Sequence, residues 1–339
     1  MPDAARAAGA LPPGALPIRA LPSLSAGEAA AVEALVERAA AVDGGHPLSE
    51  ASLLALREPA PAAQHALLVS AGPADGPAGS GAGPDAPLVV VGYAQLPLEG
   101  AAELLVDPAA RRRGLGSLLA EQLELLADGS GPSEPSELVV WAHGGSAAAA
   151  ALARRRGYGP VRELQHRRRP LGPDAPLPPL ELPDDVALRA FEVGRDEQAW
   201  LDLNARAFAS HPEQGRWTAA DLAARQAEPW FDPAGLLLAV DAQRGRLLAS
   251  HWTKVEGSAG HRAGEVYVVA VDPAAQGRGL GTAVVLAGLH HLDTAGCASA
   301  ELYVEADNAA ALRLYERLGF ELDTSDVLYR RGAAAPGVG

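Results

Sequence analysis

Apolar residues recur along the chain with two different periods, which predict helices and strands in alternation. The stretch from Ser25 to Ala41 has helical spacing, with Ser25 as N-cap and Glu28 three residues later, and is predicted to be an amphipathic helix. Leucines from Leu115 to Leu126 predict a second helix after a glycine-rich turn. Further helices are predicted at SAAAAALARRRG, DEQAWLDLNARAFA, TAVVLAGLHHLDTAG and NAAALRLYERLG.

Short apolar runs bounded by glycine or proline predict strands between these helices. They are HALLVSAG, PLVVVGYAQL, AELLVDP, ELVVWAH and VRELQHRRRP in the first half, and VALRAF, GLLLAVD, LLASHWTKV, GEVYVVAVDP, SAELYVEAD and DVLYRR in the second. Between the first two strands, GPADGPAGSGAGPDAP is predicted to be a mobile hairpin loop. Strands that alternate with helices indicate an α/β fold.

The order of the predicted elements occurs twice, which indicates two similar domains. DPAARRRGLGS at 107–117 matches DPAAQGRGLGT at 272–282, an offset of 165 residues. The proline-rich stretch at 170–185 is predicted to be the linker between the copies. The expected division is a disordered tail at 1–15, an N-terminal domain at 16–169, the linker at 170–185, a C-terminal domain at 186–332 and a tail at 333–339.

Composition and charge narrow the possible partners. The chain has 339 residues, of which 48% are hydrophobic, enough for two modest cores. The formal net charge of −14 argues against nucleic acid or an anionic membrane as the main partner. The single cysteine, Cys297, excludes an internal disulfide, and neither a signal peptide nor a transmembrane run is visible. We therefore expect a soluble, cytoplasmic protein that is a monomer.

Two glycine-rich turns, RRRGLG at 111–116 and QGRGLG at 276–281, each join a predicted strand to a predicted helix. Glycines let the backbone approach an anion and the helix N-terminus adds favourable partial charge, so the turns suit a pyrophosphate. Arg112, Arg113 and Arg278 supply counter-charge. The turns lack the glycine pattern of dinucleotide-binding domains and the Gly-Lys-Ser/Thr of P-loop proteins. Their repetition favours coenzyme A as the ligand.

Five segments of the second half carry a resemblance to a known family: HPEQGRWT, WFDP, HWTKV, GEVYVVAVDPAAQGRGLG and LYVEADNAAALRLYERLGF. They resemble the GNAT N-acetyltransferase superfamily and, in a tandem arrangement, the mycothiol synthases. The resemblance implies acetyl-CoA as co-substrate. It implies as acceptor a small thiol-sugar amine, the cysteine amine of cysteinyl-glucosaminyl-inositol, in the last step of mycothiol synthesis. In each domain it implies a mixed, mostly antiparallel sheet with a splayed central strand pair and flanking helices.

The same resemblance implies acetyl-CoA contacts in both copies. In the first copy they are Leu104, Leu105, Val106, Arg112, Arg113, Gly114, Leu115, Gly116 and Ser117. In the second copy they are Val269, Ala270, Val271, Gln276, Gly277, Arg278, Gly279, Leu280, Gly281, Thr282, Asn308, Ala309, Ala310, Ala311, Leu312 and Arg313. No metal is expected, because His251, His290 and His291 lack the spacing of metal ligands.

Acetylation of an amine needs a base for the ammonium and an acid for the leaving thiolate. Glu265, at the start of the splayed strand, is the candidate base and also an acceptor contact, and Tyr315 is the candidate acid. On the residues alone, a solvated strand-end carboxylate and a core tyrosine are the alternatives. The resemblance implies a further acceptor contact at Glu50. Glu213 in a loop, Lys254 and Tyr303 are further candidates, with a loop surface charge and an inward-packed strand tyrosine as the alternatives for Glu213 and Tyr303. Lys254 is also the only lysine in the chain.

The two copies are not equivalent at the catalytic positions. At an offset of 165 residues Glu265 corresponds to Gly100, and at 162 Tyr315 corresponds to Ala153. The first copy is therefore expected to bind the cofactor but to have a degenerate catalytic site. Two other functions stay open on the sequence. One is a tandem GNAT enzyme that acetylates another small amine or a protein N-terminus, and the other is a non-catalytic acetyl-CoA sensor.

Overall fold

The computed structural model describes residues 18–45, 47–57, 63–69, 88–98, 100–129, 138–209, 214–257 and 262–332. Both predicted tails, the predicted hairpin loop and Glu213 lie outside these ranges. The chain divides into two compact units. Unit 1 comprises Met1–Glu163 and Ser325–Gly339, and unit 2 comprises Leu164–Thr324.

Unit 1 is a mixed sheet with helices on both faces. Its strands are β1 (Ile18–Leu21), β2 (Ala63–Val69), β3 (Val90–Pro97), β4 (Ala102–Val106), β5 (Val139–Ala142) and the C-terminal part of β12 (Glu321–Arg331). Its helices are α1 (Ala26–Asp43), α2 (Glu50–Ala55), α3 (Leu115–Gly129) and α4 (Ala147–Arg155). The strand order is β1-β2-β3-β4-β5-β12, in which β4 and β5 are parallel and the other listed neighbours antiparallel.

Alternating side chains of the unit 1 strands form two cores, one on each face of the sheet. Leu67 packs with residues of α1, whereas the neighbouring Leu68 packs with residues of α3. Helix α1 begins with the predicted capping box. The Ser25 hydroxyl accepts from the Glu28 N–H at 3.3 Å, and the Ser25 N–H donates to the Glu28 carboxylate at 2.9 Å.

Unit 2 repeats this architecture. Its strands are the C-terminal part of β6 (Tyr158–Pro170), then β7 (Val186–Ala190), β8 (Leu236–Asp241), β9 (Leu247–Glu256), β10 (Ala263–Val271) and β11 (Ser299–Glu305). Its helices are α5 (Glu197–Ala207), α6 (Ala219–Gln226), α7 (Leu280–Thr294) and α8 (Ala309–Arg317). The strand order is β6-β11-β10-β9-β8-β7, and β10 and β11 are the parallel pair. The predicted α/β class, with a mostly antiparallel sheet and flanking helices, is confirmed.

The predicted domain limits differ from the division into units in three places. Residues 164–169, predicted in the N-terminal domain, belong to unit 2. The linker predicted at 170–185 is also part of unit 2: Leu171 is buried in its core, and the Pro178 carbonyl lies 2.9 Å from Nε2 of His290. The last strand, predicted within the C-terminal domain, ends in unit 1, where Val327 pairs with Ala142 of β5. These differences arise from contacts between residues far apart in sequence, which composition does not reveal. The sequence also does not predict β1 or α6, which have 4 and 8 residues.

Candidate active site

The parallel strands β10 and β11 separate after a short paired stretch. Their ladder covers only Ala263–Glu265 opposite Ser299–Glu301, although β10 continues to Val271. Among the described residues, the edge of β10 that faces β11 therefore has no strand partner beyond Glu265. Val269, Ala270 and Val271, the predicted acetyl-CoA contacts, lie on this open stretch. The predicted splay in the second copy is present.

A β-bulge lies at the point where the strands separate. The register between β10 and β9 shifts between Val266 and Val268, so Tyr267 is the additional residue. The bulge reverses the alternation of faces. Val266 packs in the core beneath α7, whereas Val268 packs with Trp252 in the core beneath α5. Tyr267 lies on the same side of the sheet as Glu265, as regular alternation places it, and the bulge turns Val268 to that side as well and re-aims the strand that follows.

Glu265 is partly buried and lies between two charged residues of the neighbouring strands. Lys254 of β9 and Glu301 of β11 pair directly with it across the sheet. Burial raises the pKa of the nearby Tyr267, and the charge of Glu265 raises it further, whereas Lys254 lowers it. Lys254 also lies over the Trp230 ring, with Nζ 5.3 Å from its centroid. The structure therefore brings the predicted base and the predicted lysine together.

An aromatic wall borders Glu265 and Lys254. The ring centroids of Trp230 and Tyr267 are 5.1 Å apart. Arg225 of α6 donates to the Tyr267 hydroxyl at 3.0 Å, and its guanidinium lies 3.8 Å from the Trp217 ring centroid. Sequence reasoning did not assign this wall, although four of the five tryptophans lie in unit 2. This concentration of tryptophans in an aromatic-poor chain could have indicated the aromatic wall.

Tyr315 of α8 is 9% exposed and packs edge-on against Phe320, with ring centroids 5.6 Å apart. Burial raises the pKa of Tyr315 to about 12, so its hydroxyl stays protonated at neutral pH. It belongs to the same buried core as Val266 of β10, and Val269 of the open strand packs against that core. A protonated hydroxyl is what a proton donor requires.

The glycine-rich turn of unit 2 places left-handed backbone at two positions before α7. Gly277 and Gly279 both have φ of +78°, a region that L side chains disfavour. Helix α7 begins at the next residue, Leu280, so its N-terminal N–H groups face the turn. A Cβ on Gly281 would lie 3.5 Å from the Leu314 side chain of α8, an ordinary van der Waals distance. Arg278, a predicted counter-charge, donates to the Asp185 carboxylate at 2.7 Å.

The turn of unit 1 has a similar backbone, although Arg111 and Arg112 stand where the turn of unit 2 has Gln276 and Gly277. Gly114 has φ of +84°, and Arg112, at the position of Gly277, has φ of +65°. Arg112 is the only non-glycine residue in the described ranges with a positive φ. Helix α3 then begins at Leu115. The open part of β4 contains Leu104–Val106, because β4 pairs with β5 only at Ala102 and Glu103. The predicted cofactor contacts of unit 1 therefore lie on a comparable splayed strand and turn.

The remaining predicted contacts lie in different settings. Tyr303 of β11 is 44% exposed, and its ring is 4.8 Å from that of His166. Asn308 caps α8 by accepting from the Ala311 N–H at 3.1 Å, so the predicted contacts up to Arg313 form the start of that helix. Glu50 is the first residue of α2, but its side chain, like Glu213, lies outside what the structure describes.

Comparison with known proteins agrees with this geometry. The model of the GNAT acetyltransferase family matches residues 198–320. A mycothiol acetyltransferase of Geodermatophilus obscurus is 50% identical over 312 residues, which cover 89% of this chain and 94% of the relative. This chain belongs to the mycothiol acetyltransferases. The predicted resemblance is thereby confirmed.

Solved structures support the tandem fold of this mycothiol acetyltransferase. A GCN5-related N-acetyltransferase from Sphaerobacter thermophilus is 26% identical, with a TM-score of 0.64 over 93% of this chain and 96% of that chain. A tandem GNAT protein from the clavulanic acid biosynthesis pathway has the same TM-score of 0.64 at 20% identity, over 94% and 99% of the two chains. At this identity the second similarity shows the fold alone. The match to the family model, residues 198–320, lies wholly in unit 2.

Unit 1 contains a buried charged network that sequence reasoning missed. The His143 ring lies between two carboxylates, with Nδ1 2.8 Å from Asp326 and Nε2 3.3 Å from Glu103. Glu103 also accepts from the Ser49 N–H at 3.0 Å, directly before α2. Burial disfavours the charge on Glu103, but His143 and the Ser49 N–H lower its pKa below the usual range. No local sequence pattern indicates this network, because His143 is 40 residues from Glu103 and 183 residues from Asp326 in the sequence.

Within the described ranges, no helix is long and apolar enough to cross a membrane. The same residues contain no group of three or more His, Cys, Asp or Glu side chains placed to hold a metal ion.

Proposed function

We propose that this mycothiol acetyltransferase transfers the acetyl group of acetyl-CoA to the cysteine amine of cysteinyl-glucosaminyl-inositol, and that unit 2 carries the reaction. The observation on which the assignment of unit 2 depends is Glu265, partly buried where β10 and β11 separate. The 50% identity to a mycothiol acetyltransferase over 89% of the chain supports the choice of acceptor.

Glu265 is proposed to take the proton that the ammonium must lose before its nitrogen attacks the thioester carbonyl. It lies at the start of the open stretch where acetyl-CoA would bind, so a base there reaches an amine placed beside the thioester. The neighbouring Lys254 and Glu301 place one positive and one negative side chain beside it. Transfer is direct within a ternary complex, and proximity supplies much of the acceleration.

Attack of the nitrogen forms a C–N bond and places negative charge on the carbonyl oxygen. Backbone N–H groups of Val269–Val271 are proposed to stabilise that oxyanion, because this stretch of β10 has an edge without a strand partner among the described residues. When the C–S bond breaks, the thiolate of coenzyme A needs a proton. Tyr315, whose pKa is raised to about 12, remains protonated and is proposed to supply it. The second proton that the nitrogen loses as the amide forms restores the tyrosine, so the net proton released is the one that Glu265 takes.

The acceptor is proposed to lie along the face that contains Lys254, Tyr303 and the aromatic wall. A sugar and an inositol ring present apolar faces to aromatic rings and hydroxyls to charged side chains, and this face offers both. Glu50 is proposed as a further contact because of the family resemblance, and Glu213 because an acidic group in a loop suits the substrate ammonium. The turn of unit 1 is proposed to bind acetyl-CoA without reacting, because Gly100 and Ala153 occupy the positions of the base and the acid.

The proposal is tested by the change Glu265→Gln. We expect turnover to fall roughly 10²- to 10⁴-fold, because the amide cannot accept the proton. Acetyl-CoA affinity, measured by calorimetry, should stay within a few-fold of wild type. Glu181→Gln, the same change at an exposed site in residues 171–185, is the matched control and should retain wild-type turnover. A Glu265→Gln enzyme with turnover within a few-fold of wild type contradicts the assignment.

A further inference from the structure

A second carboxylate, Glu301, stands beside Glu265 in the sheet of unit 2. The two residues pair directly in the parallel ladder, which is the last rung before the strands separate. Neighbouring strands lie about 4.8 Å apart, and directly paired residues have their side chains on the same face of the sheet. Two carboxylates at this separation hinder each other's ionisation. The charge on Glu301 therefore affects how readily Glu265 accepts a proton.

His166 of β6 holds Glu301 from the other side. Its Nε2 lies 3.3 Å from the Glu301 carboxylate, and its Nδ1 lies 3.1 Å from Asp323. The His166 side chain is only 15% exposed. Contact with Glu301 raises the pKa of His166, burial opposes this, and Asp323 raises it further. A cationic His166 neutralises part of the Glu301 charge.

The same histidine contacts a predicted acceptor residue. The His166 and Tyr303 ring centroids are 4.8 Å apart, and the two residues pair across the β6–β11 ladder. Tyr303 lies two residues after Glu301, so both side chains are on the same face of β11. His166 thus connects the carboxylate beside the base with the exposed ring predicted to contact the acceptor.

We infer that Glu301 and His166 are positioning residues of the acceptor site, which set the pH range in which Glu265 can take a proton from the amine. The inference rests on the proposed role of Glu265 as the base. Glu301 adds negative charge that attracts the incoming ammonium and strengthens the base, and His166 limits that effect. Five other charged or titratable groups lie near these three residues. They are Lys254 of β9, Tyr267 of β10, Arg168 of β6, Arg225 of α6 and Asp323 of β12.

The test is the pH dependence of kcat/KM at saturating acetyl-CoA in two variants. Glu301→Gln removes a negative charge beside the base, so the lower limb of the profile should move to lower pH by about 0.5–1 unit. His166→Gln leaves the Glu301 charge uncompensated, so the limb should move to higher pH by a similar amount. A merely structural role for either residue lowers activity at all pH values without moving the limb.

Glu181→Gln, the exposed control, should leave the profile in place. Unmoved limbs in both variants, or shifts in the same direction, overturn the inference. If one variant does not fold, judged by its melting temperature, the sign of the shift in the other decides. Carboxyl ¹³C titration of the wild-type enzyme gives an answer without any variant, because Glu265 and Glu301 must titrate as an interacting pair. Independent titrations would also overturn the inference.

The same experiments separate this inference from the proposed function. If Glu265→Gln keeps wild-type turnover, the proposed base is wrong and the inference falls with it. If Glu265→Gln is inactive while the Glu301→Gln and His166→Gln profiles superimpose on that of wild type, the proposed function stands and only this inference is wrong.

Discussion

The buried network of unit 1 predicts that the stability of the protein depends on the charge of His143. Burial alone would lower the pKa of His143, but hydrogen bonds and charge from Asp326 and Glu103 raise it to about 9. The side chain is 18% exposed, so solvent screens these contacts only weakly. The perturbation is His143→Gln, which preserves hydrogen-bonding capacity but removes the charge.

The expected loss of folding free energy follows from the shift in the pKa of His143. A rise from 6.5 to about 9 corresponds to roughly 3 kcal/mol of folding free energy, at 1.36 kcal/mol per unit. Because the pKa in the folded state is above that in the unfolded state, the contribution is fully present below pH 6.5. It is lost as the pH rises through about 9. The Gln variant lacks this term at every pH and leaves Glu103 buried without its cationic partner.

The assay is denaturant unfolding of wild type and His143→Gln at pH 6 and pH 10. We expect wild type to lose roughly 3 kcal/mol more than the variant between these two values. His290→Gln, a histidine in unit 2 whose ring contacts the backbone carbonyl of Pro178, is the matched control. Identical pH dependence in wild type and His143→Gln would refute the reasoning, since it would mean that His143 is uncharged in the folded protein.

Two further predictions concern the cofactor turns and the acceptor. Gly279→Val should abolish activity, because it places a branched side chain at φ of +78° where pyrophosphate is expected. Gly114→Val, the same change at φ of +84° in unit 1, should leave the reaction rate unchanged. Steady-state rates on folded protein compare the two, and equal damage contradicts the division of labour. Glu50→Ala should raise the acceptor KM by roughly one to two decades, the loss of one charge-assisted hydrogen bond, and leave acetyl-CoA binding unchanged. An unchanged KM with a lower melting temperature would instead identify Glu50 as a helix-start charge.

The repeated elements and the cofactor turns were predictable from the sequence, because their signals are local. The α1 capping box involves residues three apart, and each turn is a contiguous run of glycines between a strand and a helix. The helical and strand periods require only a short window of sequence. These features can therefore be predicted without knowledge of any tertiary contact.

What the sequence did not predict depends on pairing between distant residues. His166 meets Asp323 at a separation of 157 residues, and β5 pairs with β12 at the far end of the chain. The bulge at Tyr267 also cannot be predicted from the sequence, since the continuous apolar run from Val266 to Val271 gives no sign of a change of face. The position of Glu265 where the strands separate was expected only from the family resemblance, because no composition rule gives the point at which the ladder stops. Lys254 was recognisable only because it is the single lysine.

The central claim is tested most directly by the product. Purified protein is incubated with acetyl-CoA and cysteinyl-glucosaminyl-inositol, and the mixture is analysed by mass spectrometry alongside assay of free coenzyme A thiol. The account predicts one acetyl group on the cysteine amine and an equal amount of released coenzyme A. Release of coenzyme A that does not depend on this acceptor, or an acetyl group found on a peptide N-terminus or another amine instead, would contradict it.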